Sequence, residues 1–384
     1  MKSPPLLSIV IASVLKPIKD VRGYQKIGQS LASSFAFAEI HIVGYNSQVA
    51  DNQVDTKNIY FHPIFNFYRL HPKRILANLF FFRKLIALKP TILIVSTFEL
   101  LPSAVLYKWF FGAKLIYDVQ ENYGANLLYT SVYPWGIRHL LAWGVKLMER
   151  LASFWVDEFW LAEECYAQEL NFLRGKYLIL PNKFQAPHTE QVEFKVQKQF
   201  KTFLMSGTIS EAYGVWQAID FITKMQSIDN QWLIKIVGHC PQKNLYEKLQ
   251  KIAQEKPFIQ LNISLLPLPY PEIIQAIQSA DFALLPYQIN RSYQNRIPTK
   301  FYEYLHYQMP MLVQQNPTWE RFFKQFPTKT AILLNFNDLS DVEKIILSLN
   351  TNDFYHPSAI FAEIYWEKEA LKMKSSIQKL LKLD

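Results

Sequence analysis

The stretch Lys201-Thr-Phe-Leu-Met-Ser-Gly-Thr-Ile-Ser-Glu-Ala-Tyr-Gly-Val215 opens with a strand and leads into a helix. Thr202–Ser206 is a short apolar run, a Gly-Thr turn follows, and Gly214–Met225 keeps a helical period. The same alternation continues downstream through strand Trp232–Val237, helix Asn244–Gln254, strand Ile259–Leu265, helix Pro271–Gln278 and strand Phe282–Leu285. Helix Phe301–Tyr307, strand Met311–Val313 and a further unit around Ile332–Leu349 complete that half. Upstream, predicted strands lie at Leu6–Ala12, Glu39–Val43, Asn58–Phe61, Thr91–Ser96, Lys114–Asp118, Glu158–Leu161 and Tyr177–Leu180. Between them come helical patterns at Tyr24–Ser34, Arg74–Leu88, Pro102–Phe111, Gly136–Ser153 and Glu163–Leu173. Strands alternating with helices imply a parallel sheet covered on both faces. The pattern lapses over the polar, aperiodic segment from Asn182 to Lys201, which reads as a linker. The expectation is an α/β chain of two tandem doubly wound, Rossmann-like domains, residues 1–190 and 200–364, facing a cleft. A long amphipathic helix, Tyr365–Leu381, follows.

Composition limits what such a chain does. Its 384 residues suit about two or three domains. Half of them are hydrophobic and 19% are charged, which excludes a disordered chain. Two cysteines, Cys165 and Cys240, exclude a disulfide scaffold and point to a reducing compartment. The apolar run Leu6–Leu15 is about ten residues, too short to span a bilayer. Lys16, Lys19 and Arg22 stand where a signal cleavage site would need small residues, so the chain is expected to be cytoplasmic. Glycine is scarce, 11 residues, and neither a Walker pattern nor G-x-G-x-x-G occurs. The net charge of +9 implies anionic partners.

Doubly wound sheets bind ligands beyond the carboxyl ends of their strands. That singles out Ser206-Gly207-Thr208, Gly238-His239 and the stretch from Pro286 to Lys300. Within the last, Arg296-Ile-Pro298-Thr-Lys300-Phe-Tyr-Glu303-Tyr-Leu is the richest in chemistry. Proline suits the first turn of a helix and leaves the N–H groups of Thr299 and Lys300 free at the positive end of the dipole, a ready anion site. Lys300 adds charge, with Arg291 and Arg296 flanking it, and Glu303 could accept from two vicinal ribose hydroxyls. A capped surface helix with a solvated charge cluster accounts for the same residues. His239 could touch sugar or phosphate, or be an ordinary loop histidine. The eight histidines show no ligand spacing, so no metal site and no cofactor are expected.

These segments resemble, in order, those of GT-B glycosyltransferases of the family 4 type. Pro298-x-Lys300-x-x-Glu303-Tyr…Pro310 resembles the segment that the family places on the donor nucleotide. Asp20-x-Arg22, Ile116-Tyr-Asp118-Val-Gln120-Glu121, Leu180-Pro-Asn182, Ser206-Gly207-Thr208…Tyr213-Gly214-Val215 and Ser279-Ala-Asp281-Phe-Ala-Leu-Leu-Pro286 are similar to its other landmarks. The final Tyr365-Trp366-Glu367 helix looks like the one that crosses back to the first domain, assigning residues 365–384 there. The sequence departs from the family at three places. Asn295 stands where the first of two glutamates is usual, Gln120 where histidine is frequent, and Thr208–Tyr213 lacks the usual diphosphate-gripping cations.

The resemblance implies transfer of a sugar, with retention, from a UDP- or GDP-sugar to a glycan or lipid-linked acceptor in surface or extracellular polysaccharide synthesis. Gly207, Thr208, His239, Arg296, Thr299, Lys300 and Glu303 would bind the donor, and Asp118 or Glu121 would orient the acceptor hydroxyl. The diphosphate leaving group would be stabilised by the helix terminus and cations without a metal. A nucleotide-sugar epimerase and a catalytically degenerate partner subunit on the same fold are the alternatives. No nucleic-acid module occurs. The stretch from Asn66 to Lys89 joins Arg69, Lys73, Arg74, Arg83 and Lys84 to Phe80-Phe-Phe82 without an acid, and Tyr133–Arg150 has the same flavour. Either is suited to an anionic inner-leaflet surface or to packing on the sheet with solvated lysines.

Overall fold

The computed structural model describes residues 7–46, 58–67, 74, 76–129, 133–185, 201–340, 342–347, 349, 353–355 and 361–382. The chain divides into two compact units, Met1–Gln185 with Trp366–Asp384, and Ala186–Tyr365.

The first unit carries a seven-stranded sheet in the order β3-β2-β1-β4-β5-β6-β7. Its strands are β1 (Ser8–Pro17), β2 (Glu39–Tyr45), β3 (Ile59–Phe65), β4 (Ile92–Val95), β5 (Lys114–Val119), β6 (Glu158–Leu161) and β7 (Tyr177–Ile179). The helices are α1 (Gln29–Ser34), α2 (Ala77–Leu88), α3 (Leu101–Phe111), α4 (Tyr123–Tyr129), α5 (Trp135–Ala152) and α6 (Tyr166–Glu169). Every strand pairing is parallel. Side chains alternate across a strand, so β1 feeds two cores. Val10, Ala12 and Val14 pack with Phe81, Leu85 and Ala104 on one face. Ile9 and Ile11 pack with Ile27, Leu31, Trp366 and Met373 on the other. Burial on both faces explains why the strands read as unbroken apolar runs.

The second unit carries a six-stranded parallel sheet in the order β10-β9-β8-β11-β12-β13. These strands are β8 (Lys201–Thr208), β9 (Trp232–His239), β10 (Ile259–Ser264), β11 (Phe282–Leu285), β12 (Met311–Gln314) and β13 (Ala331–Leu334). Its helices are α7 (Val215–Ile228), α8 (Lys243–Glu255), α9 (Tyr270–Ser279), α10 (Thr299–His306), α11 (Pro317–Phe323) and α12 (Val342–Leu347). The last helix, α13 (Glu367–Leu381), lies in the first unit through Trp366, Met373 and Ile377.

Three expected elements take a different form. Glu163–Leu173 yields only the single turn α6, because Leu170, Phe172 and Leu173 reach the core from irregular backbone. The period there serves burial, which a loop met as well as a helix. The third strand runs on through Pro63 to Phe65, tolerated because β3 is an edge strand. The helix after β1 starts as a wide, π-type turn over Val21–Gly28. Residues 69 and 73 of the basic stretch, and 186–200 of the expected linker, lie outside the described residues.

Candidate functional site

In each sheet the strand order reverses beside the first strand of its unit, between β1 and β4 and between β8 and β11. The loops leaving those strands at their carboxyl ends are where a doubly wound sheet offers a crevice.

In the second unit the end of β8 is built on glycine. Gly207 and Gly238 face each other in the β8–β9 register, with φ of 105° and 149°. A Cβ on Gly238 would stand 1.9 Å from the Gly207 carbonyl oxygen, so only glycine lets the strand ends approach this closely. A Cβ on Gly207 would stand 3.0 Å from Cε of Lys300, whose stem crosses the end of β8. The ammonium of Lys300 then donates to Ser206 Oγ at 3.2 Å and to the carboxylate of Glu303, and lies 5.6 Å from the Tyr304 ring centre. Ser206 Oγ and Tyr304 Oη share a hydrogen bond of 2.9 Å, and Tyr270 Oη donates to Glu303 Oε1 at 3.0 Å. Three elements, β8, α9 and α10, therefore converge on one cation and one carboxylate. Burial alone would push Lys300 down, but Glu303 beside it more than offsets this, and the amine is held above its ordinary value. Burial, with Glu303 adding to it, raises the Tyr270 phenol, so it stays a donor.

Helix α10, on which Lys300 and Glu303 sit one turn apart, starts at Thr299. Pro298 takes the N-cap with φ −56° and ψ 133°, one place before the expected first turn, and no side chain caps the helix. Thr299 is exposed there, so the terminus faces outward with the charge of Lys300 behind it. Phe301 anchors the helix on Trp319, ring centres 5.5 Å apart.

Other predicted residues fall around this cluster without joining it. Thr208 pairs in register with His239, and His239 Nε2 lies 3.1 Å from the Leu265 carbonyl oxygen. Arg296 is half-buried in its own loop, with Nη2 donating to Ser292 Oγ at 3.4 Å and its carbonyl accepting from Trp319 Nε1 at 2.8 Å. Sequence reasoning missed Tyr270 and Tyr304. Tyr270 lies far from Glu303 along the chain, and no local pattern links them.

In the first unit, Asp118 at the end of β5 is fully buried (0% exposed). Arg22 forks over it, Nη2 at 2.7 Å and Nε at 3.1 Å from Oδ1, while Ser96 Oγ and Gln120 Nε2 donate to Oδ2 at 3.3 and 2.8 Å. Arg22 Nη1 also donates to the Leu180 carbonyl at 2.9 Å, and Lys26 Nζ to Asn182 Oδ1 at 2.5 Å. The Asp20 carboxylate caps the π-type turn through the N–H groups of Arg22 and Gly23, at 3.1 and 2.9 Å. The segments around Asp20, Asp118 and Leu180 thus meet in one network. Asp118 is turned inward and saturated by donors, a geometry suited to holding Arg22 and Gln120 in place. Glu121 points elsewhere, its Oε2 accepting from Asn126 Nδ2 at 2.9 Å. A shallow open depression lies at this switch point, lined by Ser13, Lys16, Asp20, Ser96 and Gln120 among others. Ser13 Oγ is buried without a hydrogen-bond partner. Among the described residues, no three His, Cys, Asp or Glu side chains gather as a metal site would need.

No family model and no curated protein matches this sequence. Solved structures do. Sucrose-phosphate synthase from Thermosynechococcus elongatus superposes with a TM-score of 0.71 at 11% identity, over 98% of this chain and 100% of that one. Anabaena HepE, solved with UDP and glucose, matches with a TM-score of 0.61 at 10% identity, over 98% and 99%. A candidate UDP-N-acetylglucosamine 2-epimerase from Listeria monocytogenes matches with a TM-score of 0.57 at 14% identity, over 98% and 97%. The fold is GT-B. At this identity the likeness extends to architecture alone. Within GT-B, the Lys300–Glu303 cluster lies at the switch point of the second sheet and the Arg22–Asp118 network at that of the first.

Proposed function

We propose that this chain is a glycosyltransferase that moves a sugar from a nucleotide-sugar donor to a glycan or lipid-linked acceptor. The observation that carries the reading is the outward N-terminus of α10 with Lys300 and Glu303, set against the glycine-built end of β8. Its support from outside is a fold shared with HepE, whose structure holds UDP and glucose.

The chemistry follows from charge. As the bond between sugar and diphosphate breaks, negative charge grows on the diphosphate. The N–H groups of Thr299 and Lys300 and the ammonium of Lys300 are preorganised donors for that charge. Glu303, which accepts from Tyr270, would accept from paired ribose hydroxyls as well. Thr208, His239 and Arg296 would contribute on the flanks of the donor. Asp118 would act by positioning Arg22 and Gln120, and Glu121 would orient the acceptor. Retention of configuration, independence from metal ions and a place in polysaccharide assembly at a membrane surface belong to the same proposal.

A panel of UDP-, GDP- and ADP-sugars tests it by calorimetric binding and by donor turnover with and without glycan or lipid acceptors, each repeated in EDTA. The reading expects one nucleotide class to bind and turnover to need an acceptor and survive EDTA. Product formed from donor alone would make the protein an epimerase. Binding without any turnover would make it a non-catalytic subunit, and no binding at all would overturn the site.

A further inference from the structure

Helix α5 is amphipathic the wrong way round for a helix whose only neighbour is its own core. Ala142, Val145, Glu149 and Ala152 face inward. The opposite stripe, Leu140, Trp143, Leu147 and Leu151, recurs at helical spacing and is also apolar, yet it is exposed, Trp143 by 62%. The apolar surface continues onto the end of α3. Trp109 meets Trp155 edge to face at 5.0 Å, and Phe110 beside it is 70% exposed. Of the nine tryptophans in the sequence, four are exposed, Trp109, Trp135, Trp143 and Trp155; Trp143 is on the α5 stripe, Trp109 and Trp155 meet beyond its end, and Trp135 opens the helix. Scattered surface apolar residues need no explanation, but a contiguous aromatic face does.

The charges beside it are of one sign. Lys146 and Arg150 are exposed along the edge of the α5 stripe. The one acid of α5, Glu149, is buried and accepts from Tyr117 Oη at 2.8 Å, and Asp157 beyond the helix is paired with Lys108. The basic aromatic stretch singled out earlier in the chain is a weaker candidate. There Phe81 is in the core, Phe82 is half-buried against it, and Arg74 is paired with Glu99. Of the two stretches singled out in the sequence, the exposed apolar stripe thus favours Tyr133–Arg150 on α5, to which the end of α3 is added.

We propose that the outer face of α5, with the end of α3, is a docking surface that lies in the interface of an anionic bilayer. Tryptophan and leucine would enter the headgroup–acyl boundary while Lys146 and Arg150 meet lipid phosphates. This composition, apolar and tryptophan-rich on one side and cationic on the rim, is that of an interfacial helix. A second copy of the chain fits less well, because an isologous contact would bring the Lys146 and Arg150 edges of both copies into one interface. The inference deepens the membrane placement proposed above and rests on it, but not on sugar transfer.

The test is flotation and tryptophan fluorescence of the full chain with vesicles of phosphatidylcholine alone or with phosphatidylglycerol. The expected result is binding to the anionic vesicles, weakened by salt, with a blue shift as the exposed tryptophans leave water. Lys146→Gln with Arg150→Gln should weaken binding about 30-fold, at roughly 1 kcal/mol per cation. Trp143→Ala with Leu147→Ala should weaken it at least about tenfold and reduce the blue shift. Removing equal charge from the exposed α8 by Lys243→Gln and Lys248→Gln should change neither. Three results overturn the proposal: no binding at low salt, binding equally sensitive to the α8 pair, or a dimer that the Trp143/Leu147 variant converts to monomer. Nucleotide binding measured on the same samples keeps the two readings apart, since vesicle binding can fail while it persists, and the reverse.

Discussion

Replacing Glu303 by glutamine tests the donor site with the least disturbance. The carboxylate is buried on α10, accepts from Tyr270 Oη at 3.0 Å and pairs with Lys300. Glutamine keeps the shape and one carbonyl acceptor for Tyr270, and it removes the charge that a ribose diol would meet. Loss of a charge-assisted hydrogen bond costs about 1.5–3 kcal/mol, or roughly 10- to 150-fold in Kd. The fold should tolerate the change. Lys300 keeps Ser206 and is not fully enclosed, so the cost should fall below the roughly 3–5 kcal/mol of breaking a buried pair. Tyr270→Phe is the companion, because it removes a structural bond worth about 1.5 kcal/mol and leaves the carboxylate in place. Calorimetric titration with the nucleotide that binds the parent, alongside thermal unfolding, separates the cases. Unchanged affinity in a folded Glu303→Gln protein would refute the ribose assignment, and equal loss in both variants would show that only the shape of the cluster matters.

Glu149 is buried beneath α5, and burial pushes its carboxyl up to about 7 from an ordinary 4.5 despite the Tyr117 hydroxyl. The folded chain therefore keeps a proton that the unfolded chain gives up, and stability is lost as pH climbs from about 4.5 through 7, by about 3 kcal/mol. Glu149→Gln should flatten that loss, checked by urea unfolding at both ends of the range. Asp118→Asn should cost about 3–5 kcal/mol, since Arg22 would remain buried without its counter-charge; a change below 1 kcal/mol in urea would mean that water already reaches the pair. Gly238→Ala should cost at least about 3 kcal/mol because its Cβ would strike the Gly207 carbonyl. By contrast, Gly144→Ala in open space on α5 should stabilise by about 0.5–1 kcal/mol; calorimetric melting compares the two.

The alternation of apolar runs with helical periods determined the two doubly wound sheets, because strands buried on both faces must be apolar throughout and the covering helices must carry one apolar stripe. Lys300 and Glu303 were legible as a pair for a similar reason: both lie within one turn of helix, and helix geometry alone puts them together. Partners distant in sequence were not legible. Tyr270 reaches Glu303 because α9 and α10 fold against the same strand ends, and Asp118 turns inward because Arg22, 96 positions earlier, forks over it. Periodicity also misread α6, where burial did not require helix, and it could not say which side of α2 or α5 met the core. An apolar stripe is equally compatible with packing and with exposure until the neighbouring elements are placed. Once they are, α2 turns Phe81 inward, while α5 keeps Ala142 and Val145 for the core and leaves Trp143 outside.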